Sequence, residues 1–162
     1  MLDLGAAPGS WSKYAGERVG PKGHVIAVDL QPITESLGGN VVVVQADVFD
    51  DAALSSPSAM GDPVLGAPYQ VVLSDMAPGT TGAKSSDQAK SFALFMRALD
   101  LATRVLDRGG AFVGKIFMSG DFPAAKQAVT RHFESCRVLK PEGTRAQSTE
   151  IYVVGTSRRP AS

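Results

Sequence analysis

Residues 3–11, Asp3-Leu4-Gly5-Ala6-Ala7-Pro8-Gly9-Ser10-Trp11, carry the first chemical signal. Small side chains at such a turn let the backbone approach a ligand closely. The helix start after it offers free amide donors. A pyrophosphate-binding turn wants G-x-G-x-x-G. This turn reads G-x-x-x-G, with Pro8 ahead of the second glycine, and proline removes an amide donor where a diphosphate would need one. S-adenosylmethionine has no phosphate and suits the spacing better. Three carboxylates fit the same ligand. Asp29 ends one apolar run, where an acidic side chain can bind ribose hydroxyls. Asp47 follows the next run and can accept from an adenine amino group, and Asp75 follows a third. An acidic pocket favours a sulfonium cation. Each Asp taken alone is an ordinary loop or cap residue; the ordered series at strand ends is what points to a site. Trp11 fits a core position on the first helix as well as a pocket wall.

A second signal is Lys115, the one charge in Ala-Phe-Val-Gly-Lys-Ile-Phe. By itself it reads as an edge residue whose stem lies along the sheet while its ammonium reaches water. Beside carboxylates at neighbouring strand ends it becomes a group able to steer or deprotonate a hydroxyl.

The elements that must position these groups alternate. Residues 1–5, 24–29, 41–45, 70–74 and 111–117 read as strands, and the valine run 41–45 suits a strand buried on both faces. Residues 136–139 and 150–155 read as the last two strands. Helices are expected over 10–19 with Ser10 as N-cap, over 87–106 and ending at Gly109–Gly110, and over 122–132. Residues 50–68 read as a loop with at most one helical turn. Alternation of this kind means an α/β protein with a mostly parallel sheet, whose ligands bind outside the carboxyl ends of the strands. No repeat or linker divides the chain, so a single domain over 1–162 is expected.

With these motifs in order, Asp3–Ser12, Ser74-Asp75-Met76-Ala77-Pro78, Gly114-Lys115-Ile116-Phe117 and Ser148-Thr149-Glu150-Ile151-Tyr152, the chain resembles the FtsJ (RrmJ) family of ribosomal RNA 2′-O-methyltransferases over nearly its whole length. The resemblance implies a Rossmann-like methyltransferase fold with seven strands, the last antiparallel. It implies S-adenosylmethionine as methyl donor and a ribose 2′-hydroxyl of large-subunit ribosomal RNA as acceptor. Cofactor contacts then fall on Gly5, Gly9, Trp11, Asp29, Asp47 and Asp75, and three of the family's four catalytic residues match Asp75, Lys115 and Glu150. The fourth, a lysine upstream of the glycine turn, has no counterpart because the chain begins within the first strand. The family's N-terminal helical segment is missing with it. Two carboxylates beside Lys115, unopposed by a second lysine, favour its protonated form. The expectation is cofactor binding with weak methyl transfer. A non-catalytic S-adenosylmethionine- or RNA-binding module, a nucleotide-dependent oxidoreductase and a 2′-O-methyltransferase for another RNA stay open as alternatives.

Charge supplies a partner. Sixteen basic and sixteen acidic residues cancel, yet residues 1–103 hold 6 basic and 11 acidic groups and residues 104–162 hold 10 and 5. A polyanion is expected at the C-terminal part, through Arg137, Lys140 and Arg145, with Arg158 and Arg159 as further contacts or a solvated tail. The single cysteine and two histidines argue against an internal disulfide and a Cys- or His-built metal site. No apolar run reaches a membrane span, and no basic segment marks a signal peptide. The simplest reading is a soluble cytoplasmic protein whose partner is ribosomal RNA or the large ribosomal subunit.

Overall fold

Short runs rich in apolar residues make the strands, and polar, alanine-containing stretches make the helices that cover them. The computed structural model describes residues 1–58, 61, 63–66, 68–79, 81–141 and 149–160. Its strands are β1 (Leu2–Leu4), β2 (Val25–Asp29), β3 (Val41–Gln45), β4 (Tyr69–Ser74), β5 (Leu106–Phe117), β6 (Phe133–Leu139) and β7 (Glu150–Arg158). Its helices are α1 (Ser10–Val19), α2 (Asp51–Leu54), α3 (Lys84–Val105) and α4 (Phe122–His132). The strands form one sheet in the order β3-β2-β1-β4-β5-β7-β6. All pairs are parallel except those of β7, which runs antiparallel to both β5 and β6. This is the doubly wound α/β arrangement with an antiparallel last strand that the alternation and the resemblance imply.

The pleat assigns each strand residue to a layer. Leu2, Leu4, Ile26, Val28, Val72, Phe112 and Ile116 point into the main apolar cluster, where α3 and α4 pack on β4 to β7. Residues of opposite parity face the α1 side. Ala27 joins Ala6 and Leu37 there, and Asp3 meets Ser12 of α1. On this side the register aligns Asp3, Leu73, Val113, Val154 and Arg137 across five strands. Leu73, Val113 and Val154 in that row are only half-buried.

Several local expectations change. The N-cap of α1 is Gly9, at φ 125°, and not Ser10. The valine run of β3 is an edge strand with Val43 39% exposed, because sheet order and not hydrophobicity decides which strand has two neighbours. Helix α3 begins at Lys84, ahead of Asp87, and stops at Val105. The chain passes straight into β5, so Gly109 and Gly110 lie within a strand and not at a helix end. They accommodate an irregularity: Leu106 pairs with Tyr69 while Ala111 pairs with Val71, leaving the intervening β5 residues bulged, with Gly109 at φ 81°. Arg158 closes the end of α3 by donating to the carbonyls of Leu106 (2.8 Å) and Thr103. Arg159 donates to Phe133 O at 3.1 Å. Neither arginine is a solvated tail; both bind main-chain carbonyls at the C-terminal ends of helices.

Candidate active site

Strand ends carry the site. Asp75 lies one residue past Ser74, which pairs with Gly114, and so arrives beside Lys115. Lys115 pairs with Tyr152, and Phe117 with Glu150, so the alternation of β7 presents Glu150 and Tyr152 on the same face as Lys115. Lys115 Nζ lies 3.1 Å from Asp75 Oδ1 and 3.6 Å from Glu150 Oε1. The lysine side chain is 9% exposed, whereas the carboxylates are 29% and 40% exposed. A buried ammonium is costly unless paired, and here two carboxylates from neighbouring strands hold it at the sheet edge.

Tyr152 donates its hydroxyl to the same Asp75 oxygen at 2.7 Å. Burial, together with that hydrogen bond and the nearby carboxylate charges, pushes the phenol far above its ordinary range, so it remains a donor. The Trp11 ring stacks on Tyr152 with centroids 5.6 Å apart and planes 21° from parallel. Trp11, 36% exposed, is therefore not a core residue; it packs on the Tyr152 ring that donates to Asp75.

That cavity, of about 610 Å³, opens at the carboxyl ends of β1 to β5. Gly5, Asp29, Asp47, Asp75 and Lys115 all line it, which unites five of the expected site residues. Gly5 takes φ 77°, and a Cβ there would sit 2.6 Å from Met76 Cγ and 2.9 Å from the Met76 backbone. Only glycine lets these two strand ends approach so closely. Asp29 accepts from Ala7 N at 2.9 Å and from Gln31 N at 2.7 Å, one bond to each oxygen, which fixes the carboxylate toward the glycine turn. Asp47 accepts from Phe49 N at 2.9 Å. Gly9 lies outside the lining; a Cβ there would meet Leu37 Cδ2 at 2.6 Å, so its glycine serves the turn's packing. Behind the cavity, Asp3 is fully buried, with Oδ2 accepting from Ser12 Oγ at 2.5 Å and Oδ1 without a partner among the described residues. Burial pushes its carboxyl up to about 6; the Ser12 bond opposes the rise, and the Asp75 and Asp29 charges add to it.

Leu30, Val48, Phe49, Met76 and Leu94 are the larger apolar residues of the lining. Sequence reading missed them, as it missed Tyr152. Tyr152 and Phe49 had a usable signal, each standing two residues from an expected site carboxylate, Glu150 and Asp47; Leu94 had none, because the fold alone brings it to the cavity. The lining sums to three carboxylates against one ammonium, beside apolar walls of a size suited to a small molecule. It suits a ligand that joins a flat apolar ring and hydroxyls to positive charge, and it disfavours a diphosphate. Among the described residues there is no group of three or more His, Cys, Asp or Glu suited to a metal ion, and no described helix is long and apolar enough to cross a membrane.

At the far edge, Arg137 and Lys140 are exposed at the end of β6. Leu139, next to Lys140, pairs with Tyr152, so two strand spacings, roughly 10 Å, separate that row from Lys115. Arg145 lies outside the described residues.

Comparison with known proteins agrees with the fold and supplies a family. A relative from Sorangium cellulosum, named ribosomal RNA large subunit methyltransferase E, is 52% identical over 163 residues, covering 99% of this chain and 73% of the relative. A relative of the same name from Syntrophobacter fumaroxidans is 47% identical, covering 98% of this chain and 78% of its own length. The crystal structure of a ribosomal RNA methyltransferase from Plasmodium falciparum shares the fold, with a TM-score of 0.81 at 24% identity over 97% of this chain and 85% of that one. The family profile described as FtsJ-like methyltransferase matches residues 1–158, a span that holds the glycine turn, the acidic strand ends and the Asp75–Lys115–Glu150 cluster alike, and the chain belongs to that family.

Proposed function

We propose that this protein transfers a methyl group from S-adenosylmethionine to a ribose 2′-hydroxyl of large-subunit ribosomal RNA. The observation that carries the reading is Lys115 held between Asp75 and Glu150 at the wall of an acid-lined cavity. Relatives named for methylation of the large-subunit RNA supply the substrate class.

S-adenosylmethionine would supply an electrophilic methyl on a sulfonium. Asp29 and Asp47 would bind its ribose and adenine, with Val48 and Phe49 as apolar walls and Gly5 admitting close backbone approach. The three lining carboxylates favour its net positive charge. Lys115 orients the acceptor hydroxyl and stabilises the negative charge that grows as the proton leaves, and the Asp75–Glu150 carboxylates take up that proton. Tyr152 and Trp11 hold Asp75 in place for this. Arg137 and Lys140 contact RNA phosphates, which position the strand without reading its sequence. Selectivity for RNA follows from the acceptor itself, since DNA lacks the 2′-hydroxyl. A cytoplasmic site of action accords with a ribosomal substrate.

The test is methyl transfer from labelled S-adenosylmethionine to large ribosomal subunits lacking 2′-O-methylation, with cofactor binding measured by calorimetry. Lys115→Met is expected to lower turnover by about 10²-fold or more while leaving cofactor affinity within about threefold. Turnover of Lys115→Met near that of the parent protein overturns the assignment, and a parent protein that does not bind the cofactor overturns the whole reading.

A further inference from the structure

Asp47, Val48 and Phe49 form one wall of the cavity, on the segment joining the edge strand β3 to the four-residue helix α2. An edge strand has a partner on one side only, so the sheet itself does little to hold the segment beyond its end. Local bonds tie the segment to itself and to β2: Phe49 N donates to Asp47 Oδ1, Asp50 N donates to Asp47 O, and Ala46 N donates to Asp29 O. The Val48 side chain is buried in the main apolar cluster, and Arg97, midway along α3, supplies the polar link from the segment to the helical layer. Arg97 Nε donates to Val48 O at 2.7 Å, while its two terminal nitrogens bind Asp51 and, at 2.9 Å, Asp100. The same guanidinium lies over the Phe49 ring, 5.9 Å from its centroid. Its side chain is 14% exposed, and Arg104 joins the cluster from further along α3, 3.0 Å from Asp51.

We infer that Arg97 is a positioning residue for cofactor binding: its planar fork locks the Val48 carbonyl, the Phe49 ring and the α2 start into one rigid wall. The inference rests on the proposed binding of S-adenosylmethionine in this cavity. Arg97 does not line the cavity, so it acts through Val48 and Phe49. Three donors in one plane meet three acceptors on two helices and a loop, a pattern that lysine's single ammonium cannot reproduce. Without the fork, the wall must be ordered by the ligand, and that cost appears as weaker binding. The chemistry at Lys115 is untouched, so the effect falls on affinity and not on the bond-making step.

The experiment uses the whole chain with S-adenosylmethionine as probe, read by calorimetry and by steady-state kinetics in the cofactor. Arg97→Met, which keeps the apolar stem, is expected to weaken binding and raise the cofactor KM by about tenfold, with kcat at saturation within about twofold. Arg97→Lys is expected to recover part of the loss. Asp51→Asn removes one exposed ion-pair partner but keeps the Val48 bond, and is expected to change affinity by no more than about twofold. Thermal unfolding is followed for every variant. Should Arg97→Met fail to fold, Arg97→Lys binding several-fold more weakly at an unchanged melting temperature still supports the inference. Unchanged affinity in Arg97→Lys and Arg97→Met overturns it, as does a fall in kcat matching the rise in KM, or an Asp51→Asn defect as large as that of Arg97→Met. A parent protein that fails to bind the probe instead removes the proposed function and this inference with it.

Discussion

Asp3 gives the molecule a pH dependence that can be worked out from the structure. Its carboxyl is fully buried, has one oxygen unpartnered among the described residues, and titrates at about 6 in place of 3.8. Because the folded value is raised, the folded state binds more protons than the unfolded chain between these two pH values, and stability falls as pH rises through the interval. Below the lower value both states are protonated and the carboxyl contributes no penalty. Above the upper value both are ionised and the penalty is constant. The rise from 3.8 to about 6 corresponds to about 3 kcal/mol, of which about 2 kcal/mol falls between about pH 4 and pH 8. Asp3→Asn removes the titration while preserving size and an acceptor for Ser12 Oγ. Urea denaturation of the parent and the variant across that range therefore isolates the effect: carboxylates such as Asp51 and Asp87, held below the usual range by hydrogen bonds from Arg97 and Thr81, titrate alike in both proteins and cancel. The stability advantage of Asp3→Asn over the parent is expected to grow by about 2 kcal/mol on going from pH 4 to pH 8. Two parallel stability curves would show that Asp3 does not titrate as a buried group and would refute the reasoning.

The geometry sets further outcomes. Gly5→Ala would place a Cβ 2.6 Å from Met76 Cγ at a φ of 77°; a loss of about 2 kcal/mol or more in urea denaturation is expected, with cofactor binding lost in calorimetry because Met76 lines the cavity. Arg158→Ala unpairs the carbonyls of Leu106 and Thr103 and is expected to cost about 1–3 kcal/mol of stability. Arg137→Ala and Lys140→Ala are expected to leave stability unchanged while lowering RNA affinity and its salt dependence. A stable Arg158→Ala protein with weakened RNA binding would reverse that division of roles.

Much of the site was legible in the chain because its members sit at strand ends, and strand ends are local features. Asp29, Asp47 and Asp75 follow apolar runs, and in a parallel sheet every such end lies on one edge. Gly5 belongs to the same class, since the turn it opens is read from neighbouring residues. The helix over 10–19 is equally local, and the one helical turn allowed within 50–68 forms at Asp51–Leu54, where the Asp50 side chain accepts from Ala53 N. The resemblance added Glu150, whose type alone would mark only a surface carboxylate.

What the chain alone could not state depends on which distant segments become neighbours. The valine run at 41–45 has the composition of an interior strand but, among the described residues, forms the edge of the sheet, where Val43 is exposed. Arg158 reads as tail until β7 extends to bring it against the end of α3, 52 residues away in sequence. Tyr152 meets Asp75 across 77 residues, and Arg97 meets Val48 across 49. Composition and periodicity report how a segment buries its own faces over a few turns or pleats. Sequence by itself determined the order of elements, the acidic edge and the glycine turn. Only the tertiary structure decided that Tyr152 donates to Asp75, that Trp11 stacks on Tyr152, and that a helix arginine holds the cavity wall, because each of these contacts spans strands or layers whose adjacency no local pattern encodes.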